Sequence, residues 1–183
     1  AYARKHPHRM GTWSKDSKSH VAHMTHGDFY GSEKSLTLKG ATQASIHFVN
    51  TGGETTVLKE RVDLLAGEII DAAILSLASL KAFAKQEMED AKAQDVLFSV
   101  HLKATMMKVS DPIIFGAFVE SFFESVFAEH GDTFESLGVD VRNGLGDVYA
   151  KIASLPEDER MAIEEALAAS FASRPGLAMV NSD

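Results

Sequence analysis

The sequence predicts an α/β fold, in which a mixed sheet is flanked by helices and accompanied by an antiparallel hairpin patch. Three observations lead to this class. Residues 35–59 contain short runs in which apolar and polar residues alternate, as in half-buried strands. Residues 71–172 instead place apolar residues at helical spacing. Two short apolar runs, 96–100 and 177–180, follow helical segments, which favours parallel or mixed strand pairing in the second half.

Three short strands are predicted in the first half of the chain. They follow a leading segment, through residue 33, that is rich in histidine, glycine and charge. The stretch "HGDFYGSEKS" has turn chemistry at Gly27-Asp28 and Gly31-Ser32 and is predicted to be loop. The strands are Ser35–Leu38, Ala44–Val49 and Thr55–Lys59. Thr51–Glu54 contains two glycines and has the composition of a hairpin turn between the second and third strands. These runs form the antiparallel patch.

Three helices are predicted at 71–94, 145–154 and 157–172. The first has an apolar face opposite its acids and lysines. The last is ended by the sequence Arg174-Pro175-Gly176. The apolar face of the first helix consists of Ile74, Leu77, Ala78, Leu80, Ala84 and Met88.

A fourth helix is predicted to begin at Pro112, with Asp111 as its N-cap, because proline loses no hydrogen bond at the first helical position. We expect this helix to end at His130-Gly131. Its apolar stripe consists of Phe115, Phe118, Val119, Phe122, Val126 and Phe127. Aromatic residues at this spacing are typical of a core rather than of a cofactor site.

The composition excludes several classes of function. With 183 residues and 45% hydrophobic content, the chain is long enough to bury a sizeable core and is not expected to be disordered. It has no cysteine, which excludes disulfides and thiolate chemistry and fits a cytoplasmic location. No apolar run approaches the roughly 20 residues of a membrane span and no signal peptide is visible, so no membrane partner is expected.

Charge is distributed unevenly along the chain, whose net charge is -8. The first forty residues carry seven Lys/Arg and three Asp/Glu, whereas the remainder carries eleven and twenty-three. An acidic domain with a basic leading segment is the favoured interpretation, and a basic face for an anionic ligand is the alternative. The tract "ARKHPHR", with Tyr2 and Trp13 nearby, could contact phosphates, but no nucleic-acid-binding signature accompanies it and no nucleic-acid partner is expected.

Both ends of the sequence suggest a piece of a longer polypeptide. Ala1 opens the chain inside the basic tract, without a methionine, and Asp183 closes it just after a predicted strand. We interpret residues 1–183 as a single domain.

Histidines and glycines offer two further candidate sites. His20, His23 and His26 recur at steps of three, and His6 and His8 flank a proline. Three imidazoles could hold a zinc ion, but helical spacing of three spreads them over too wide an arc, so unliganded surface or packing histidines are favoured. The glycines of "NTGGET" and "RNGLGD" match neither a phosphate loop nor a dinucleotide fingerprint and are interpreted as turn residues.

Lys103 lies at the end of an apolar run, and its surroundings leave two interpretations open. A strand from Val96 places Lys103 near the carboxyl end, the edge at which ligands bind in open α/β sheets. Burial among Leu102, Met106 and Met107 would favour the neutral amine, which can act as a base. Alternatively, the side chain extends over apolar surface and keeps its charge in water.

The segment "HLKATMMKVSDPIIFG" resembles the catalytic-lysine segment of the monomeric class of NADP-dependent isocitrate dehydrogenases. Other blocks resemble successive parts of the same family in the same order: "YARKHPHRMG", "WSKDSKSHVAHM", "GDFYGSEKS", "AGEIIDAAILS", "NGLGDVYAKIASLP" and "RPGLAMVNSD". The resemblance covers essentially all 183 residues.

This resemblance implies an enzyme that oxidises isocitrate by hydride transfer to NADP and then decarboxylates the product to 2-oxoglutarate. In the family a Mg²⁺ or Mn²⁺ ion holds the substrate hydroxyl and a carboxylate oxygen. The family's lysine takes part in proton chemistry at that hydroxyl and lies against the substrate. The resemblance therefore implies a catalytic and a substrate-binding role for Lys103.

The same resemblance implies that the chain is the N-terminal part of the large domain of a longer, two-domain, monomeric enzyme. The family's other substrate, metal and NADP ligands fall outside it, so neither cofactor-binding nor metal-binding residues are expected within this chain. The chain alone is expected to be inactive, and self-association through exposed apolar surface is left open. The alternative interpretation is a free-standing ligand-binding or interaction domain that has kept the fold and lost the chemistry.

Overall fold

The computed structural model describes residues 2–7 and 11–181. The chain divides into two compact units. One consists of Met24–Leu80, and the second consists of Ala1–His23 together with Lys81–Asp183. The leading segment contains two one-turn helices, α1 (Tyr2–Lys5) and α2 (Phe29–Ser32), and the second lies within the stretch "HGDFYGSEKS" that was predicted to be loop. The predictions that concern Ala1, His8, Arg9 and Ser182–Asp183 fall outside the described residues.

The unit Met24–Leu80 contains two antiparallel strand pairs. Its strands are β1 (Lys34–Thr37), β2 (Thr42–Val49), β3 (Thr55–Leu64) and β4 (Ile69–Ala72). β2 and β3 pair from Thr42↔Leu64 to Val49↔Thr55, which confirms the predicted hairpin. The backbone N–H of Gly53 donates to the carbonyl of Asn50 (3.0 Å) and closes the turn.

The helix predicted at 71–94 begins later than expected. Residues Ile69–Ala72 form β4 instead and pair antiparallel with β1, so that Ile70 lies opposite Leu36. Helix α3 runs from Leu77 to Gln94. Ile74 therefore precedes the helix and is 70% exposed, so its assignment to the apolar face was wrong.

The remaining elements belong mainly to the second unit. In chain order they are β5 (Phe98–Leu102), α4 (Ser110–Phe122), α5 (Glu124–Leu137), a 3₁₀ turn (Val141–Asn143), α6 (Leu145–Ile152), α7 (Glu157–Ser173) and β6 (Leu177–Asn181). β5 and β6 pair in parallel, from Phe98↔Leu177 to Leu102↔Asn181. The predicted strand at 96–100 is thus shifted by two residues, and the expectation of a parallel pair is confirmed.

The helix predicted from Pro112 to His130-Gly131 differs at both ends. α4 begins at Ser110, so Asp111 lies in its first turn and does not cap it. The backbone then breaks at Phe123 (φ -109°, ψ 30°) and α5 continues past His130, whose φ/ψ values kink the helix without ending it. α5 ends at Leu137 and is capped by Gly138, which adopts the left-handed conformation (φ 67°) that glycine tolerates best.

A hydrophobic core fills the second unit. Its buried members are Ala84, Met88, Leu102, Phe115, Val119, Phe122, Phe123, Val126, Phe134, Val148, Ile152, Ile163 and Leu167. The apolar stripe predicted for the helix from Pro112 supplies four of them, Val126 now lying in α5, while Phe118 and Phe127 are partly buried against the cluster. The chain thus has the predicted α/β class, with small antiparallel and parallel sheets and flanking helices.

Within the described ranges, no helix combines the length and the apolar character that crossing a membrane would require. The interpretation of residues 1–183 as one domain, part of a larger one, stays a prediction.

Candidate functional site around Lys103

Lys103 directly follows the last residue of β5, at the carboxyl end of the parallel pair. Leu102, immediately before it, is 4% exposed and belongs to the core, and it lies opposite Asn181 of β6. After Lys103 the chain turns, and its carbonyl accepts a hydrogen bond from the backbone N–H of Thr105 (2.9 Å). The strand therefore holds the backbone of Lys103 at the sheet edge where ligands bind in open α/β folds.

The lysine side chain is exposed, which fits the second of the two interpretations, a charge kept in water, rather than burial among apolar neighbours. Met106 and Met107 are 87% and 50% exposed, so they do not shield the amine from solvent in this chain. Among the described residues, no carboxylate lies within the 4.0 Å of the Lys103 ammonium that an ion pair would need. Lys103 is consequently free to reach a ligand outside the core.

Lys108 occupies the same loop and is also exposed. It lies in the turn before α4, where the backbone N–H of Asp111 donates to the carbonyl of Met107 (3.0 Å). The two lysines differ mainly in the backbone that supports them, since Lys103 directly follows a strand and Lys108 does not.

The loop that carries Lys103 supplies no ligand set for a catalytic metal, and the two glycine motifs of the chain have structural roles. From Leu102 to Val109 the side chains are aliphatic, hydroxyl, thioether or ammonium, without a carboxylate or imidazole. The glycines of "NTGGET" form the β2–β3 turn, where Asn50 Oδ1 accepts from the backbone N–H of Gly52 (2.9 Å). Gly144 of "RNGLGD" has a positive φ (78°) and a Cβ there would lie 3.2 Å from the Phe115 ring, so its role is also structural.

The histidine series is not assembled as a three-imidazole site. Among the described residues, the one group of three metal-ligand side chains whose ligand atoms all lie within 4.8 Å of one another is His20, Glu87 and Asp90. His26 instead contacts the Thr25 hydroxyl through Nδ1 (3.3 Å). Sequence reasoning missed Glu87 and Asp90, whose only local signal is their spacing of three along α3.

Comparison with known proteins identifies the family. The sequence matches the family described as "Monomeric isocitrate dehydrogenase" over residues 1–183. Relatives named "Isocitrate dehydrogenase [NADP] 2" in Colwellia maris and "Isocitrate dehydrogenase [NADP]" in Azotobacter vinelandii are 58% and 53% identical over 182 residues. These alignments cover 100% of this chain and 24% and 25% of the two relatives.

A third relative, "Isocitrate dehydrogenase [NADP] 2" of Mycobacterium tuberculosis, is 50% identical over 181 residues, or 99% of this chain and 24% of the relative. The chain therefore spans about a quarter of the length of the curated relatives it matches.

Proposed function

The chain belongs to the monomeric isocitrate dehydrogenase family, and from that premise we propose that it is one part of an NADP-dependent isocitrate dehydrogenase. The parent enzyme would oxidise and decarboxylate isocitrate to 2-oxoglutarate and CO₂. We propose that this chain contributes Lys103 as a catalytic and substrate-binding residue. The observation that carries the proposal is the placement of this lysine, exposed at the carboxyl end of β5 in a family member.

The proposed role of Lys103 is to bind the substrate and to hold or move a proton at its 2-hydroxyl oxygen. Oxidation of an alcohol removes one proton from this oxygen and a hydride from the adjacent carbon, so the reaction needs a group that exchanges that proton. The strand fixes the backbone of Lys103 through the buried Leu102, while the four-carbon side chain remains free to approach the hydroxyl. Lysine also offers positive charge to the carboxylates of a tricarboxylate substrate.

NADP and the Mg²⁺ or Mn²⁺ ion belong to other parts of the parent polypeptide in this proposal, because the Lys103 loop offers no carboxylate or imidazole ligand and the two glycine motifs match no nucleotide-binding pattern. Bound there, they would supply the hydride acceptor and positive charge at the substrate oxygens. We further propose that residues 1–183 form the N-terminal part of the large domain of a two-domain, monomeric and cytoplasmic enzyme.

A segment exchange tests the proposal. The matching segment of the Azotobacter vinelandii relative, which is 53% identical over 182 residues, is replaced by this chain, and NADP⁺ reduction is followed with isocitrate and Mn²⁺. We expect the chimera to be active and the isolated chain, assayed alongside, to be inactive. Lys103→Met in the chimera should lower kcat by about 10²–10⁴-fold, the usual contribution of a positioned acid or base.

Lys108→Met is the matched control, because it removes an exposed charge from the same loop at a position that β5 does not support. It should cost clearly less activity than Lys103→Met. An inactive but folded chimera would contradict the proposed function. Equal losses in the two variants, with both folded by circular dichroism, would contradict the role of Lys103 alone.

A further inference from the structure

We propose that His20, Glu87 and Asp90 form a binding site for a divalent transition-metal cation of the Zn²⁺ class. Their ligand atoms all lie within 4.8 Å of one another, although His20 is far from the two acids in sequence. The set of one imidazole and two carboxylates suits a borderline cation, whereas Mg²⁺ and Ca²⁺ prefer oxygen ligands alone. This site goes beyond the proposed function and involves none of the residues of the Lys103 loop.

The two acids are mounted on a rigid element. Glu87 and Asp90 are three residues apart, a spacing that places both carboxylates on the same side of α3. The helix is anchored beside them by Met88 and Ala91, which are 2% and 6% exposed. Their positions are therefore set by the core of the unit rather than by a mobile loop.

Hydrogen bonds orient His20 for coordination. Its Nδ1 lies 2.8 Å from the carbonyl oxygen of Lys18, which can only accept, so the proton of the neutral ring belongs on Nδ1. Nε2 is then left with a lone pair for a cation. A backbone carbonyl that accepts from the second ring nitrogen is the arrangement that metal-bound histidines commonly have.

Two hydrogen bonds to Gln94 position the rest of the site. Asp90 Oδ2 accepts a hydrogen bond from Gln94 Nε2 (2.6 Å), which orients the carboxylate and leaves Oδ1 available. The Lys18 ammonium donates to the carbonyl oxygen of Gln94 (2.8 Å), and this contact holds the segment that carries His20 against the end of α3. The site is thus built from two segments, which the Lys18–Gln94 hydrogen bond joins.

Charge and space both favour an added cation. Glu87 and Asp90 bring two negative charges together, and within the described part of the chain neither has a basic side chain in ion-pair range. The three residues line a cleft of about 630 Å³, which leaves room for water to complete the coordination. Zn²⁺ bonds to nitrogen and oxygen are about 2.0–2.2 Å, so the exposed His20 side chain must draw in slightly from its present position.

The experiment is a titration of the 183-residue chain with Zn²⁺ by isothermal calorimetry, with Co²⁺ absorption as a second readout of coordination. We expect one Zn²⁺ per chain. His20→Ala, Glu87→Gln and Asp90→Asn should each weaken binding about tenfold or more, since each removes a ligand. His26→Ala is the matched control, because it removes another exposed histidine of the same series and should leave the affinity unchanged.

Circular dichroism establishes that each variant is folded before its affinity is compared. The proposal fails if the chain shows no saturable one-to-one binding, or if His20→Ala binds as tightly as the parent sequence. It also fails if His26→Ala loses as much affinity as His20→Ala while the acid variants bind normally, because the histidine series alone would then account for the binding.

Discussion

Replacing Gly116 by alanine sets helix propensity against packing in α4. Alanine in a helix interior is favoured over glycine by about 0.8–1.0 kcal/mol. A Cβ at Gly116, however, would lie 3.0 Å from Val141 Cγ2 and 3.3 Å from the backbone nitrogen of Arg142. The Val141 side chain can shift, but the backbone of the 3₁₀ turn cannot do so without moving the turn, and such overpacking typically costs about 1–3 kcal/mol. We therefore expect Gly116→Ala to lower the free energy of unfolding by about 1 kcal/mol.

The matched control is Gly131→Ala in α5, where a Cβ would meet no atom within 4 Å. The same substitution should there raise the free energy of unfolding by about 0.5–1 kcal/mol, because only the propensity changes. Urea unfolding monitored by circular dichroism measures both values, provided that the slopes with denaturant agree. If Gly116→Ala stabilises the protein as much as Gly131→Ala, the close approach of α4 to the turn is wrong.

Two further predictions concern the core and an ion pair. Phe122 is fully buried, with ring centroids 4.9 Å from Phe123 and 5.9 Å from Phe171, so Phe122→Ala should cost about 3–5 kcal/mol in urea unfolding. A loss below about 1 kcal/mol would contradict this packing, since even conservative core changes cost that much. The Arg142 guanidinium lowers the pKa of Asp140 below its ordinary value of 3.8, so the ion pair adds stability above that value and loses it as the pH falls through the lower pKa of the folded state. Asp140→Asn should therefore lower the stability of the protein at neutral pH. It should also make that stability fall less on acidification below pH 4. Thermal unfolding that shows the same dependence on pH for the variant and the parent sequence would argue against this ion pair.

The elements that the sequence predicted best are those with strong local patterns. The Gly-rich turn between β2 and β3 and the apolar stripe that follows Pro112 are encoded within a few residues, and both are found, the stripe divided between α4 and α5. β4 was missed because Ile69 and Ile70 lead into an apolar run that also suits a helix. Its strand state depends on β1, more than thirty residues earlier, and no local pattern reveals that partner.

Helix ends were predicted less well, for a similar reason. His130-Gly131 has the composition of a helix stop, yet the buried residues Val126 and Phe134 on either side favour continuing α5 against the core. Asp111 has the right chemistry for an N-cap, but α4 starts one residue earlier, at Ser110.

The candidate sites also differ in how far the sequence could predict them. Lys103 was singled out because a charge at the end of an apolar strand is visible in the sequence. The sequence could not decide between its burial and its exposure, because the packing of Met106 and Met107 depends on the surroundings of the loop rather than on their polarity. The approach of His20 to Glu87 and Asp90 had no sequence signature, since it results from the path of an irregular segment along α3.

The parallel pairing of β5 with β6 also constrains the order in which this chain can fold. Phe98 must pair with Leu177, and helices α4, α5, α6 and α7 all lie between these two residues in the sequence. Closing this loop costs conformational entropy, and prior formation of these helices lowers the cost by shortening the flexible part, since each doubling of a flexible loop adds about 0.6 kcal/mol. Contacts of this sequence separation generally slow folding. The hydrogen bonds that fix the carboxyl end of β5 would then form late, and synthesis of the chain must proceed to β6 before Lys103 gains its support.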